Sequence, residues 1–254
     1  MDDTRTIKEI VADLRLLGVR PGGVSMVHSS LKSLGWLPKG AETVIQSLQE
    51  ALTEAGTLLM PALSYETVRS DHPVFDLRNT PSCIGAIPEY FRVRPGTLRS
   101  LHPTHSVCGI GPLAEELLSA HIQDTTPCGP HSPFQRLPDF DGQILMLGCG
   151  LRPNTSMHAI EELVTPSYLF DSPILYTLID GDGHTIQKKY TRHSFQGWVQ
   201  RYDRIAELLI EPQLRVGKVK GAPTYLIEAN ALREAALSAL HKAPLYFVDR
   251  VNSS

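Results

Sequence analysis

Apolar positions recur along this chain with two different periods, and the switches between them lay out the elements. In Thr6–Leu17 the residues Ile7, Ile10, Val11, Leu14 and Leu17 fall at helical spacing, and Gly18 ends the run. VRPGG is then a turn, Val24–His28 a strand, Ala41–Ala55 an amphipathic helix stopped by Gly56, and Thr57–Met60 a strand halted by Pro61. That is the strand, helix, strand order of an α/β unit. Ser64–Ser82 lacks a clear period and carries Pro, Asp and Asn, as a long ordered loop beside a site would. Next come a helix at Ile84–Arg92, a short strand at Ser106–Ile110, a helix at Pro112–Ala120, a rigid loop at Cys128–Pro133 and a buried strand at Ile144–Leu147. Beyond Tyr168 the pattern changes. Ile174–Ile179 and Thr185–Tyr190 flank Asp180–Gly183 as a β-hairpin, Gln196–Leu209 reads as a helix, and Ala231–Leu240 is the last helix before Leu245–Val248. The implied fold is α/β: one domain over 1–254 with a mixed β-sheet flanked by helices. Its core, with parallel strands, ends near residue 167, and an antiparallel C-terminal addition follows from 168.

Composition narrows the class. With 254 residues, 42% hydrophobic and 20% charged, the chain can bury a sizeable core as one domain. No run approaches the roughly 18 apolar residues of a membrane helix, and MDDTRTIKEI is charged where a signal peptide is apolar. The expectation is a cytoplasmic protein without a membrane partner. Cys83, Cys108, Cys128 and Cys149 are scattered without CxxC pairs, so they read as small reduced core residues. A net charge of −3 argues against nucleic acid as the main partner, since phosphate binding needs a basic surface.

The chemistry concentrates at Leu145–Glu162, LMLGCGLRPNTSMHAIEE. Gly148 and Gly150 allow a tight turn after the buried strand, and Asn154 or Thr155 can cap the helix that follows. His158 then falls in the first helical turn, where the positive end of the helix dipole favours a neutral ring able to accept a proton. Glu161 and Glu162, three and four residues on, can share its face and fix its tautomer. There is no GxxxxGK[ST] loop, and GCG lacks the third glycine of a dinucleotide fingerprint. VHSSLKSLG at Val27–Gly35 instead sets hydroxyls and a lysine directly after a strand, as an elongated polar ligand would need, or as an ordinary capping turn would have.

Taken together, these segments resemble the aminoglycoside 3-N-acetyltransferase family, which is distinct from the GNAT fold. The resemblance rests on VHSSLKSLG, GTLLMPALS at Gly56–Ser64, FDLRNTPSCIGAIPEYFR at Phe75–Arg92, PGTLRSLHPTHSVCGIG at Pro95–Gly111, GPHSPFQRL at Gly129–Leu137 and ILMLGCGLRPNTSMHAIEE at Ile144–Glu162. It implies an acetyl-CoA-dependent N-acetyltransferase with His158 as active-site base and Glu161 as its acid partner. It also implies that His28, Ser29, Ser30, Leu31, Lys32, Ser106 and Ser132 help to hold coenzyme A. The implied partner is a small-molecule amine, with a homodimer as the candidate assembly and no resident metal.

Acceptor contacts are less determined. Asp76 is a candidate substrate-side acid or a turn aspartate, and Glu162 can add to an acidic cleft suited to polycationic aminoglycosides. Arg192 and His193, if they face the site, would repel a polycation and suit a carboxylate or phosphate on the acceptor. An aminoglycoside is therefore the first expectation and another small amine the second. Other classes use the same residues differently. A metal site would draw on His102, His105, His158 and Glu161, but no third-ligand motif stands out. A cysteine nucleophile would be Cys108, Cys128 or Cys149, yet a thioester can pass its acetyl group directly to an amine. A non-catalytic binding protein would have no need of the His158 and Glu161 pair.

Overall fold

The computed structural model describes residues 3–251. Three strands form its centre: β1 (Val24–Ser29), β2 (Thr57–Pro61) and β6 (Gln143–Leu147), with β1 parallel to both neighbours. Their side chains alternate between two cores, as the two-residue period of a strand requires. Met26, Leu59, Ile144 and Met146 face one way, and Val27, Leu58, Met60, Leu145 and Leu147 the other. Helices α1 (Asp3–Leu17), α2 (Ala41–Leu52) and α3 (Ala86–Val93) cover the second face. The first is covered by α4 (Ala114–Leu118), the short α5 (Pro133–Arg136), α6 (Ser156–Val164) and α7 (Ala229–Lys242). Such a sheet, buried on both sides, reads in sequence as near-continuous apolar runs.

The parallel character ends sooner than the sequence pattern suggests. β4 (Leu98–Arg99) and β5 (Val107–Ile110) return as an antiparallel pair, and β5 lies antiparallel on β2. On the opposite side β10 (Leu214–Val219) and β11 (Ala222–Glu228) form a hairpin that pairs antiparallel with β6. The seven-stranded order is β10-β11-β6-β1-β2-β5-β4.

A second sheet joins the expected hairpin, β7 (Ile174–Ile179) and β8 (Thr185–Tyr190), to β3 (Val74–Asp76), a strand inside the segment that reads as a loop. The Gln196–Leu209 helix does not form. Phe195 and Gly197 take positive φ, which breaks any helix there. Trp198–Gln200 becomes β9, paired with β12 (Val248–Arg250), and Tyr202–Glu207 is a 3₁₀ turn. Arg201 anchors this bend on Asp203 and Asp249.

Candidate active site

The ends of the central strands and the start of α6 border a cavity of about 570 Å³. His28 and Ser29 enter it from β1, Cys149 and Arg152 to Thr155 from the turn after β6, His158 from α6, and His193, Phe195 and Tyr202 from the segment after β8. The glycine turn is sterically required. Gly148 has a φ of +70°, and a Cβ there would lie 2.8 Å from Ser33 Cβ. Asn154 Oδ1 then accepts the Ser156 amide at 3.1 Å, so Asn154 is the residue that caps α6.

His158 and Glu161 meet as their spacing predicts, with Nδ1 3.2 Å from Oε2. Two tyrosines complete the arrangement. Tyr202 donates its hydroxyl to Glu161 Oε2 at 2.7 Å, and Tyr168 donates to Oε1 at 2.7 Å. Since the Tyr202 proton is committed to the carboxylate, its oxygen accepts from His158 Nδ1 at 2.8 Å. That fixes the Nδ1–H tautomer and leaves Nε2 with the lone pair. Glu161 is fully buried, and burial beside its charge holds the Tyr202 hydroxyl well above its ordinary range, so the donor keeps its proton.

Glu162 turns the other way. It accepts from Thr126 Oγ1 at 2.5 Å and from the Cys128 amide at 2.8 Å, and pairs with His193 Nε2 at 2.8 Å. Burial raises its carboxyl to about 7, and burial likewise pulls His105 and His193 well below 6.5 and His28 to about 3. Glu162 therefore stands behind His193 rather than on the cavity wall.

The remaining sequence-predicted residues divide. Ser29 lines the cavity with a buried hydroxyl that has no partner. The Ser30 amide bonds the Leu147 carbonyl, and Leu31 and Lys32 open a 3₁₀ turn with Lys32 exposed. Ser106 is fully buried, donating to the Ala62 carbonyl and accepting from Arg99, so its hydroxyl ties strands together. Ser132 caps α5 through the Phe134 amide. Asp76 closes a turn by accepting the Arg78 and Asn79 amides and the Asn79 side chain. Arg192 pairs with Asp171 at 2.6 Å and lines an adjoining cavity with Tyr65, His105 and His193. His102 lies apart from the site, stacked on His121. Tyr168, Tyr202 and Phe195 carry no local sequence signal, because only the tertiary fold brings them to His158.

A part-buried histidine paired with a buried carboxylate stands beside the cavity, and comparison with known proteins supplies the class. The family model for aminoglycoside 3-N-acetyltransferase matches residues 26–241. Aminoglycoside N(3)-acetyltransferase IV of Salmonella sp is 33% identical over 246 residues, covering 94% of this chain and 89% of the relative. A histidine-to-alanine mutant of aminoglycoside acetyltransferase AAC(3)-IVa in complex with a gentamicin superposes with a TM-score of 0.82 at 32% identity, over 94% of this chain and 90% of that one. AAC-IIIb in binary complex with CoASH gives 0.81 at 27% identity, over 98% of both chains. The protein is an acyltransferase. It belongs to the aminoglycoside 3-N-acetyltransferase family. Among the described residues no helix is long and apolar enough to cross a membrane.

Proposed function

We propose that this chain transfers acetyl from acetyl-CoA to an amino group of an aminoglycoside, at the 3-N position, directly within a ternary complex. The observation that carries this reading is the tautomer of His158, whose Nδ1 is tied to Glu161 and Tyr202 while the ring lines the cavity. His158 Nε2 takes the proton of the amine as nitrogen bonds to the thioester carbon. When the carbon–sulfur bond breaks, that proton passes to the departing sulfur. The unpartnered Ser29 hydroxyl is suited to the oxyanion, and His28 through Lys32 to the coenzyme. Burial pushes the thiols of Cys108 and Cys149 up to about 12 and raises Cys128 well above the ordinary thiol range, which disfavours a thiolate nucleophile.

A second reading, a small amine that is not an aminoglycoside, draws on one observation. Among the described residues the cavity lining includes no Asp or Glu, while polycations are ordinarily held by carboxylates. A thiol-release assay over aminoglycosides and small mono-amines, with acetyl-CoA as donor, decides between the two. Turnover confined to mono-amines removes the aminoglycoside reading, and parallel initial-rate lines or an acetylated cysteine in the intact mass remove direct transfer.

A further inference from the structure

Three histidines around the cavity share an arrangement that proton abstraction does not require. Each has one ring nitrogen committed: His158 Nδ1 to Tyr202 and Glu161, His193 Nε2 to Glu162 at 2.8 Å, and His105 Nδ1 to Thr104 Oγ1 at 3.0 Å. Each therefore has one nitrogen left over. That of His193, Nδ1, is buried without a partner. The rings pack edge and face, with centroids 5.2 Å apart for His105 and His193, 4.7 Å for His158 and His193, and 6.0 Å for His105 and His158. One nitrogen from each of the three lies within 4.8 Å of those of the other two.

We propose that His105, His158 and His193 bind a divalent transition ion of the zinc class through these remaining nitrogens. Three imidazoles without an oxygen cage suit Zn²⁺, Co²⁺ or Ni²⁺ and exclude Ca²⁺ and Mg²⁺, which need hard oxygen ligands. Glu162 behind His193 and Glu161 behind His158 are the outer carboxylates that metal-bound histidines characteristically have, orienting each ring and raising its basicity. Zn–N bonds of about 2.1 Å set ligand nitrogens roughly 3.4 Å apart in a tetrahedron, so small ring rotations close the site. The fourth position opens on the cavity.

The consequence rests on the reading of His158 as the base. Its Nε2 has one lone pair, which serves either the amine proton or the ion. Metal occupancy and acetyl transfer are therefore mutually exclusive, and the ion is an inhibitor.

Calorimetric titration of chelator-stripped protein with ZnCl₂ tests the site, independently of any activity. The wild type should bind one ion per chain, and His105→Ala and His193→Ala should each weaken binding by at least about 100-fold, while Glu162→Gln weakens it about 10-fold to 100-fold. Should a variant misfold, Co²⁺ bound to the wild type gives a second readout through the intense visible absorption of a tetrahedral site. Absence of a one-to-one site, or binding unchanged in both histidine variants, overturns the proposal. The exposed Asp180, Asp182 and His184 group is the competing location, and loss of binding in Asp182→Ala alone also overturns it. One equivalent of zinc should abolish thiol release, and a chelator should restore it. Transfer that survives saturating zinc, or depends on it, overturns the inhibitory role. A protein that acetylates no amine yet loses its zinc on His193→Ala refutes the transfer reading and upholds the metal site.

Discussion

Two groups of histidines lie side by side in this protein, and they differ in where an uncommitted nitrogen stands. In one, His121 spends both ring nitrogens, Nδ1 on Ser100 Oγ at 2.9 Å and Nε2 on the Pro127 carbonyl at 3.2 Å. His102 stacks on it at 4.7 Å and uses Nδ1 to accept the amides of Thr104 and His105, pinning the turn between them, while its Nε2 is buried without a partner. In the other, His105, His158 and His193 each keep a nitrogen in reserve. Burial pulls His102, His121, His105 and His193 all below the usual histidine range, so burial does not distinguish the groups. The placing of the free nitrogens does: His121 has none and that of His102 is walled in without a partner, whereas those of His105, His158 and His193 lie within 4.8 Å of one another, on side chains that line the cavity.

The largest effect that can break this contrast is expected at His158. His158→Ala should lower turnover about 10²-fold to 10⁴-fold with coenzyme A affinity nearly unchanged, measured by steady-state kinetics and calorimetry. Near-normal turnover in a folded variant would place the base elsewhere. Glu161→Gln should cost less, since it keeps the shape and part of the hydrogen bonding.

Next comes Tyr202, whose hydroxyl bridges His158 and Glu161. Tyr202→Phe should lower kcat about 10-fold with KM little changed, as expected for losing a hydrogen bond to a charged group worth about 1.5 kcal/mol. A rise in KM alone would make Tyr202 an acceptor contact instead.

The saturated histidine, His121, should show itself in stability. Burial moves His121 from 6.5 to about 3, so the folded protein keeps the ring neutral where the unfolded chain takes up a proton. Its contribution is complete above about pH 6.5 and is lost as pH falls through about 3. His121→Gln, which cannot titrate, should flatten the decline of stability with acid over that window, as read by denaturant unfolding at several pH values. An unchanged slope would assign the acid sensitivity to other groups.

The smallest effect belongs to Arg192, already paired with Asp171 at the margin of the site. Arg192→Glu should improve KM for polycationic amines a few-fold in dilute buffer and fade near physiological salt, where screening acts over about 8 Å. No change at low salt would make the residue part of the scaffold alone.

How much of this was legible in the sequence depends on how far each contact reaches along the chain. The buried strands β1, β2 and β6 and the pairing of His158 with Glu161 rest on local period and helical spacing, and both are readable. The β10–β11 hairpin was also within reach, since two β-rich runs flank Lys220–Gly221, which takes the positive φ of a tight turn. It lies in a stretch to which the apolar pattern, as read above, assigns no element. Tyr202 is different in kind. It reaches Glu161 across 41 residues from within a segment whose apolar spacing imitates a helix, and no pattern in RYDRIAE discloses that. Ser106 and Ser132 show the converse, since the family resemblance implies coenzyme contacts for them while their hydroxyls are spent on the scaffold.

The cavity's two walls descend from separate stretches of chain. His28 and Ser29 stand at the end of a strand locked between two parallel neighbours, where any displacement is felt across the whole sheet. Ser194, Phe195 and Gln200 stand on a strap outside that sheet, held by a three-residue pairing with β12, by backbone bonds to Tyr168 and Leu169, and by the Arg201 ion pairs. Mutation can remodel the strap while the strand ends stay put. On the proposed reading, in which His28 and Ser29 face the thioester, such proteins are free to diverge in the compounds they modify long before they depart from the donor they consume.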